Sequence, residues 1–262
     1  MPEFLLQAST LWTREIARFV RQRSRLVGAI LQPLVFWALL GAGLGASFRP
    51  AGMPSSVGYA QYFYPGVIVL VLLFTAIFAT IATVEDRREG FLQGVLVAPV
   101  SRTTIVLGQA MGATTLALMQ GLVFLILAPL AGIHLSIGAI LLTAAMMTII
   151  AFALTSIGLT IAWRIESTQG FHAIMNLILI PIWMLSGAFF PITGAPGWLR
   201  WTMELNPLTY AMAALRDSLY LAEPGSAGAS ILPLGLSALI AIVFAAAMFT
   251  LASRTASRVR TV

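Results

Sequence analysis

Long stretches without a single charged residue dominate this chain and restrict what it can fold into. A soluble domain needs roughly a quarter of its residues charged to cover its surface, whereas only 9% are charged here. Most of the folded surface must therefore contact lipid rather than water. The uncharged runs cover residues 26–48, 50–84, 103–163, 167–199 and 224–253.

Each of these runs is long enough for a membrane-spanning helix, since about 20 apolar residues cross the ~30 Å hydrocarbon core. The run 103–163 is long enough for two helices, with a turn at residues 131–136. Transmembrane strands are not expected, because the runs are continuously apolar rather than alternating. The sequence predicts an all-α membrane protein with six transmembrane helices within residues 26–255, near 26–48, 64–84, 104–130, 137–163, 171–191 and 231–252.

The distribution of arginine predicts how these helices are oriented. The chain has no lysine, and twelve of its 15 arginines share one side if the N-terminus is cytoplasmic. The other three are Arg49, Arg200 and Arg216. Cytoplasmic segments are enriched in positive residues, so both termini are predicted to be cytoplasmic, including a basic tail at 256–262. The net charge of +6 then indicates topology and affinity for anionic lipid, not nucleic acid.

The first 25 residues predict a separate amphipathic helix. Apolar residues, among them Trp12, recur at helical spacing on one face, and arginines at i, i+4, i+7 and i+11 occupy another. Such a helix lies in the cytoplasmic interface, and we expect its arginines to face lipid phosphates. A simple membrane anchor and a docking element for a partner both remain open. The arginines are Arg14, Arg18, Arg21 and Arg25.

The segment after the fifth predicted span, residues 187–225, is too polar and too rich in proline and glycine to be another span. Its Trp198, Trp201 and Tyr210 suit the membrane interface, and residues 207–220 have helical spacing of apolar side chains. We expect two short helices that dip into the outer leaflet, in preference to an ordinary external loop.

Two further patterns concern packing. Tyr59, Tyr62, Phe63 and Tyr64 at the outer end of the second span are expected to form an interfacial aromatic belt or to line a glycan path, and we favour the belt. The glycine patterns at residues 41–45 and 108–112 permit close helix packing.

Several chemistries are excluded by what the sequence omits. The predicted span interiors contain no Asp, Glu, Arg or Lys, which argues against a proton-driven antiporter. Without lysine the chain cannot form the G-x-x-x-x-G-K-[ST] phosphate-binding loop, so any ATPase must be another polypeptide. His134 and His172 fall on opposite membrane sides, and a Ser186–His172 dyad would span ~21 Å. We therefore expect neither an enzyme nor a metal site.

The stretch "VEDRREGFLQGVLVAPVSR", residues 84–102, is out of character with its surroundings. Five consecutive charged residues, 85–89, precede apolar residues that have no place in the lipid core, among them Leu96 and Val97. A solvated loop explains the charges but not the apolar residues. A short cytoplasmic helix that docks into a partner's cleft explains both.

Three segments resemble a known family. "EDRREGFLQGVLVAPVSRTTIVLGQ" is similar to the first cytoplasmic loop of ABC-2 type transporter permeases. "LSGAFFPITGAPGWLRW" and "NPLTYAMAALRD" resemble the family's segments after the fifth span. In order, and joined by six predicted spans, they cover almost the whole chain, and the drug-resistance and nodulation-type exporter permeases look most similar.

The resemblance implies a homodimeric exporter permease in the cytoplasmic (inner) membrane, paired with two cytoplasmic ATPase subunits that bind ATP and magnesium. This chain would hold no cofactor itself. Its cargo would be amphiphilic, lipid-linked, glycan or drug-like; the alternative is a nucleotide-independent channel or scaffold. ATPase coupling would fall to Glu85, Asp86, Arg87, Arg88, Glu89, Leu96, Val97, Pro99, Ser101 and Arg102, with the N-terminal helix also in contact. An outer re-entrant gate would comprise Pro191, Pro196, Trp198, Asn206, Pro207, Tyr210 and Arg216.

Overall fold

The computed structural model describes residues 2–21, 23–45, 57–90, 100–226 and 231–258. Within these ranges all regular structure is helical, as predicted, and nine α-helices occur. In chain order they are α1 (Pro2–Arg21), α2 (Arg23–Leu44), α3 (Tyr59–Arg88), α4 (Arg102–Leu127), α5 (Ile137–Ala162), α6 (Thr168–Trp183), α7 (Gly197–Leu205), α8 (Pro207–Leu219) and α9 (Leu234–Arg258).

Six of these helices are long and apolar enough to cross a membrane, which confirms the predicted number of spans. They are α2, α3, α4, α5, α6 and α9. Helix α3 begins at Tyr59 rather than residue 64, and α9 continues to Arg258 rather than residue 252. The helices extend beyond the apolar runs because backbone hydrogen bonding does not require apolar side chains.

Helix α3 lies at the centre of the molecule. It packs against α2, α4, α5, α6 and α8, and 94% of its most apolar stretch is buried. A helix that is covered on every side needs no polar face, which explains its continuously apolar sequence. By contrast, the corresponding stretches of α2 and α9 are only 11% and 17% buried, so these two spans leave most of their apolar surface available to lipid or to another chain.

Helix α1 packs along α4 at the glycine pair predicted to permit close approach. A Cβ atom on Gly108 would lie 2.8 Å from Cβ of Leu11, and one on Gly112 would lie 2.7 Å from Cβ of Glu15. The Trp12 indole N–H also donates to Oγ1 of Thr115 at 2.9 Å. The amphipathic helix is therefore docked on a span along much of its length.

The predicted turn between the third and fourth spans is confirmed. A 3₁₀ turn at Ala128–Ala131 ends at Gly132, whose φ of +76° favours glycine. Helix α5 then begins after Ser136, whose Oγ accepts a hydrogen bond from the Ala139 N–H at 3.1 Å. This is an ordinary N-cap.

Candidate functional site

A cluster of five charged residues joins α1 to the last turn of α3, and we call it the charged cluster. The α1 members come from consecutive turns of that helix, and the α3 members come from the start of the charged run after the apolar segment. Its members are Arg14, Glu15, Arg18, Glu85 and Asp86.

Asp86 is the centre of this cluster and is 1% exposed. Arg14 donates to both of its carboxylate oxygens, at 2.8 and 2.9 Å, and Arg18 donates to Oδ1 as well. Arg18 also donates to Oε2 of Glu85 at 2.9 Å. The expectation that Arg14 and Arg18 face lipid phosphates is therefore wrong, because both side chains bind the buried carboxylate of Asp86 on α3.

Glu15, the remaining member of the charged cluster, lies on the buried face of α1. Burial raises the pKa of its carboxyl to about 7, against the lowering effect of Arg14. The side chain falls in register with Leu11 and Phe19, one turn away on each side, so the helical period placed it on the apolar face. That signal was present in the sequence. The same cluster raises the pKa of Arg14, chiefly through its hydrogen bonds to Asp86.

The charged run itself is helical rather than part of the loop. Residues 85–88 form the last turn of α3, which ends at Arg88, and Gly90 just beyond the C-cap Glu89 has a φ of +79°. Helix-compatible residues continue past the apolar run until glycine permits the left-handed turn that commonly ends a helix. Arg88 and Glu89 are exposed at this end.

Arg87 ties the same helix end to α5. Its Nη1 donates to the carbonyl oxygens of Ala162 at 3.1 Å and Ile165 at 3.4 Å. A cation that binds the unpaired carbonyls at a helix C-terminus is favoured by the helix dipole. The sequence gave no indication of this contact, because the carbonyl acceptors belong to the backbone of a helix 75 residues away.

The remaining residues predicted to couple to an ATPase fall into two groups. Ser101 caps α4, accepting from the Thr104 N–H at 3.1 Å, and Arg102 is the first residue of that helix. Leu96, Val97 and Pro99 lie outside the described residues. The charged cluster thus joins α1 to the end of α3, and Arg87 joins that same end to α5. Residues 91–99, which contain the other predicted coupling residues, follow in the sequence.

A second polar site lies at the other end of the molecule, where α6 breaks. Pro181 precedes a π-helical turn at Met184–Ala188, and Gly187 within it has a φ of +80°. Side chains at the start of α8 reach the carbonyls near this break. Asn206, which precedes α8, donates through Nδ2 to Ile182 O at 2.7 Å. Thr209 Oγ1 lies 3.2 Å from Leu185 O and 2.6 Å from Met203 O, so its one proton is shared between two acceptors.

Arg216 completes the broken end of α6. Its Nη2 donates to Gly187 O at 2.9 Å, and its guanidinium lies 4.4 Å from the centroid of the Tyr62 ring. A cation over an aromatic face is stabilised by the ring quadrupole, more so where water is excluded. Tyr62 OH donates to the same Gly187 carbonyl at 2.8 Å, so one peptide group links α3, α6 and α8.

The aromatic residues at the start of α3 form neither an exposed belt nor an open path in this chain. Tyr59, Tyr62, Phe63 and Tyr64 are each at most 1% exposed. Tyr59 OH donates to Phe189 O at 3.1 Å, and Tyr64 OH donates to Phe124 O. The favoured belt is therefore wrong, because the hydroxyls are used inside the protein: those of Tyr59 and Tyr62 bind carbonyls near the broken end of α6, and that of Tyr64 binds a carbonyl of α4.

The two short helices expected between the fifth and sixth spans are confirmed as α7 and α8. Asn206 separates them, and its Oδ1 caps α8 by accepting from the Leu208 N–H at 3.0 Å. The apolar face expected for the second helix is buried, whereas Trp198 and Trp201 on α7 are 72% and 65% exposed. Tyr210 OH donates to Glu204 O at 2.8 Å, which ties the two helices together.

The other residues of the predicted gate have capping roles. Pro191 precedes the 3₁₀ turn at Ile192–Gly194, Pro196 precedes α7, and Pro207 is the first residue of α8. Proline suits these positions, because the first helical N–H has no partner within the helix.

The described residues include no group of three His, Asp or Glu side chains placed to hold a metal ion. His134 pairs with Glu223 at 2.8 Å on the exposed surface, and His172 packs against the rings of Phe78 and Phe171. Ser186 Oγ donates to Trp183 O at 2.6 Å. These groups serve the structure of the helix ends and turns.

Together these observations define an all-helical, multi-pass membrane protein with a charged cluster at one end and a broken fifth span at the other. The profile of the ABC-2 type transporter family matches residues 6–220, which include both sites. The chain belongs to this family and is a permease of an ABC-2 type transporter.

Curated relatives agree with this assignment. The chain is similar to the ycf38 permease of Cyanophora paradoxa, with 27% identity over 81% of this chain and 74% of that protein. It is also similar to Nodulation protein J of Rhizobium leguminosarum bv. trifolii, with 25% identity over 82% of each. A third relative is ABC transporter G family member 20 of Dictyostelium discoideum, 30% identical over 63% of this chain but only 23% of that protein. Permeases of the family pair with ATPase subunits.

Proposed function

We propose that this permease is the membrane subunit of an ATP-driven exporter that works with two copies of a cytoplasmic ABC ATPase. The observation that carries the proposal is the charged cluster within an ABC-2 permease. It fastens α1 and the end of α3 into one unit, and residues 91–99, which contain the predicted docking residues Leu96, Val97 and Pro99, follow that end in the sequence. A force applied to that segment would be transmitted to the central span.

The proposed orientation places both termini in the cytoplasm. Support for this orientation comes from which helix ends contact each other. Arg14 and Asp86 bring α1 to the end of α3, and Arg87 joins the end of α5. At the opposite end, Gln61 donates to Gly132 O at 3.4 Å and Tyr220 to Gln61 O at 2.8 Å. The arginine-rich helix ends therefore gather on one side, which agrees with the positive-inside rule.

The proposed cargo is amphiphilic, lipid-linked, glycan or drug-like, and the proposed assembly is a homodimer. The predicted span interiors are uncharged, which favours neutral or amphiphilic cargo. The broad apolar face of α2, where Leu39 is 68% exposed, would be partly covered by a second copy.

In the outer half, we propose that α7, α8 and the broken end of α6 form a re-entrant gate. The tie at Gly187 supports this role, because three helices share one carbonyl group there. A change in the position of α3 would alter all of these contacts together.

Co-purification is the direct test of the main proposal. The permease is expressed with its candidate ATPase, isolated by a tag on the permease and assayed for ATP hydrolysis. We expect a stable complex that hydrolyses ATP and that transports its cargo in vesicles only when ATP is present. Transport that persists after ATP depletion would instead support the alternative, a nucleotide-independent channel or scaffold.

A narrower test addresses the coupling segment. The double substitution Leu96→Asp/Val97→Asp is expected to uncouple ATP hydrolysis from transport, because two carboxylates would be desolvated in an apolar cleft. The control is Leu221→Asp, an exposed position on the opposite side. Normal transport by the double variant would contradict the docking role of this segment.

A further inference from the structure

A cleft with a volume of about 420 Å³ lies between the first turn of α4 and the last turns of α9. It belongs neither to the charged cluster nor to the broken helix. Its volume exceeds the roughly 30 Å³ that one water molecule occupies in the liquid by more than tenfold, so it has room for a polar group larger than water. We call it the α4–α9 cleft.

The cleft is lined by basic and hydroxyl side chains. Arg254 and Arg258 are exposed and lie four residues apart, on one face of α9. Neither has a salt bridge among the residues that the structure describes. None of the described residues that line the cleft is acidic, so none of them repels an anion. The hydroxyl side chains are Thr103, Thr250, Ser253 and Ser257.

Ser253 contributes a further hydroxyl to the wall of the cleft. Its side chain is 9% exposed, yet its Oγ has no hydrogen-bond partner in the described structure. A buried hydroxyl without a partner is costly. The other α9 hydroxyls are already engaged, since Thr250 donates to Ala246 O and Ser257 to Ser253 O, each at 2.8 Å. Ser253 thus has an unused hydroxyl donor in the wall of the cleft.

The start of α4 adds to the preference for an anion. Thr103 is the second residue of this 26-residue helix, so the cleft opens beside its N-terminus. The partial positive charge there favours a negative group. Two guanidinium groups, a buried hydroxyl donor and a helix N-terminus together fit the tetrahedral oxygens of a phosphate.

The apolar side of the cleft indicates what the phosphate is attached to. Phe249 lines it and packs against Phe152, with ring centroids 5.3 Å apart. Phe249 precedes Arg254 by five residues, or about 7.5 Å of helix rise. Further along the same span, Ile242 and Val243 are 48% and 59% exposed. A ligand that follows α9 therefore passes from arginines to an apolar surface.

We propose that the α4–α9 cleft binds the phosphate headgroup of an anionic phospholipid, with the acyl chains along α9. Basic pockets between membrane helices are suited to such headgroups. The chemistry of the site is independent of the transport proposal, and only its placement in the cytoplasmic leaflet rests on the proposed orientation. The permease would then carry a bound lipid as part of its folded structure.

The test uses the full chain, purified in neutral detergent and depleted of lipid. Phosphatidylglycerol, phosphatidylcholine and inorganic phosphate are added separately, and binding is followed by native mass spectrometry and by the melting temperature. We expect phosphatidylglycerol to bind and to raise the melting temperature, with at least tenfold weaker effects from the other two. Equal protection by inorganic phosphate would overturn the lipid assignment, and equal binding of phosphatidylcholine would overturn the anion site.

Substitutions locate the binding. Arg254→Gln/Arg258→Gln is expected to weaken phosphatidylglycerol binding at least tenfold, and Ser253→Ala by a few-fold. The matched control is Arg21→Gln/Arg164→Gln, which removes the same charge from two exposed positions on the same side. Equal loss in the control, or unchanged binding in the cleft variant, would refute the site. Because no ATPase is present, failure here is distinguishable from failure of the exporter proposal.

Discussion

Asp86→Asn offers the sharpest test of the charged cluster. The substitution keeps the shape of the side chain but removes the charge that binds both Arg14 and Arg18. Breaking a buried ion pair costs about 3–5 kcal/mol. The two arginine side chains are 31% and 22% exposed, so water replaces part of the loss. We expect α1 to be held on the bundle less tightly by about 3 kcal/mol.

The absence of cysteine provides a specific reporter for this change. Ala113 on α4 is 3% exposed and packs against Phe19 of α1. A single Ala113→Cys substitution would therefore react with a maleimide only when α1 moves away. Since about 1.4 kcal/mol corresponds to a tenfold change, Asp86→Asn should accelerate labelling roughly 100-fold.

Two comparisons make the result interpretable. Glu204→Gln removes a carboxylate from an exposed pair with Arg200 and should leave the labelling rate unchanged. Arg14→Gln combined with Asp86→Asn should cost less than the sum of the single substitutions, because both remove the same contact. A labelling rate in Asp86→Asn within threefold of the parent would refute the reasoning.

Three further predictions follow from the same structure. Gly108→Ala should loosen α1, because its Cβ would lie 2.8 Å from Cβ of Leu11; Ala113→Cys labelling should accelerate, whereas Gly43→Ala, with open space around it, should not have this effect. Glu15 has a raised pKa of about 7, so the folded protein binds this proton more tightly than the unfolded chain does. The free energy of unfolding should therefore fall by roughly 3 kcal/mol as the pH rises from about 4.5 to about 7. Glu15→Gln should abolish that dependence, and a pH profile of the variant parallel to that of the parent would contradict it. Arg216→Gln should lower the free energy of unfolding by about 2 kcal/mol or more, since Gly187 O loses a charged donor; Arg200→Gln, at an exposed position, should change the melting temperature little, and equal effects would argue against the proposed tie.

The six spans could be predicted from sequence because their signal is local. An uncharged run of 20 or more residues has few alternatives to a membrane helix, and the glycine spacing at Gly108 and Gly112 correctly indicated close packing. The two short helices after the fifth span were also predictable, since their prolines and Asn206 mark helix starts.

The polar contacts could not be predicted, because their partners are distant in sequence or belong to the backbone. A mixed-sign run such as residues 85–89 can pair within itself or with another helix, and sequence alone does not distinguish these cases. Tyr59 and Tyr62 illustrate the same difficulty. Tyrosine suits both an interfacial belt and a buried site with an acceptor, and their acceptors here are carbonyls released near the kink at Gly187.

The pairing of Arg14 and Arg18 with Asp86 also bears on how the chain is synthesised. During membrane insertion α1 emerges before α3, so Asp86 is not yet available to the two arginines when they contribute to the choice of orientation. After α3 is in place, both arginines form ion pairs with the carboxylate of Asp86. Arg14→Gln would therefore have two separable consequences: a weaker orientation signal in the nascent chain and, in the finished protein, an Asp86 carboxylate that keeps only Arg18 of its two arginine partners. Protease mapping of topology in newly made chains would report the first, independently of how well the mature helix docks.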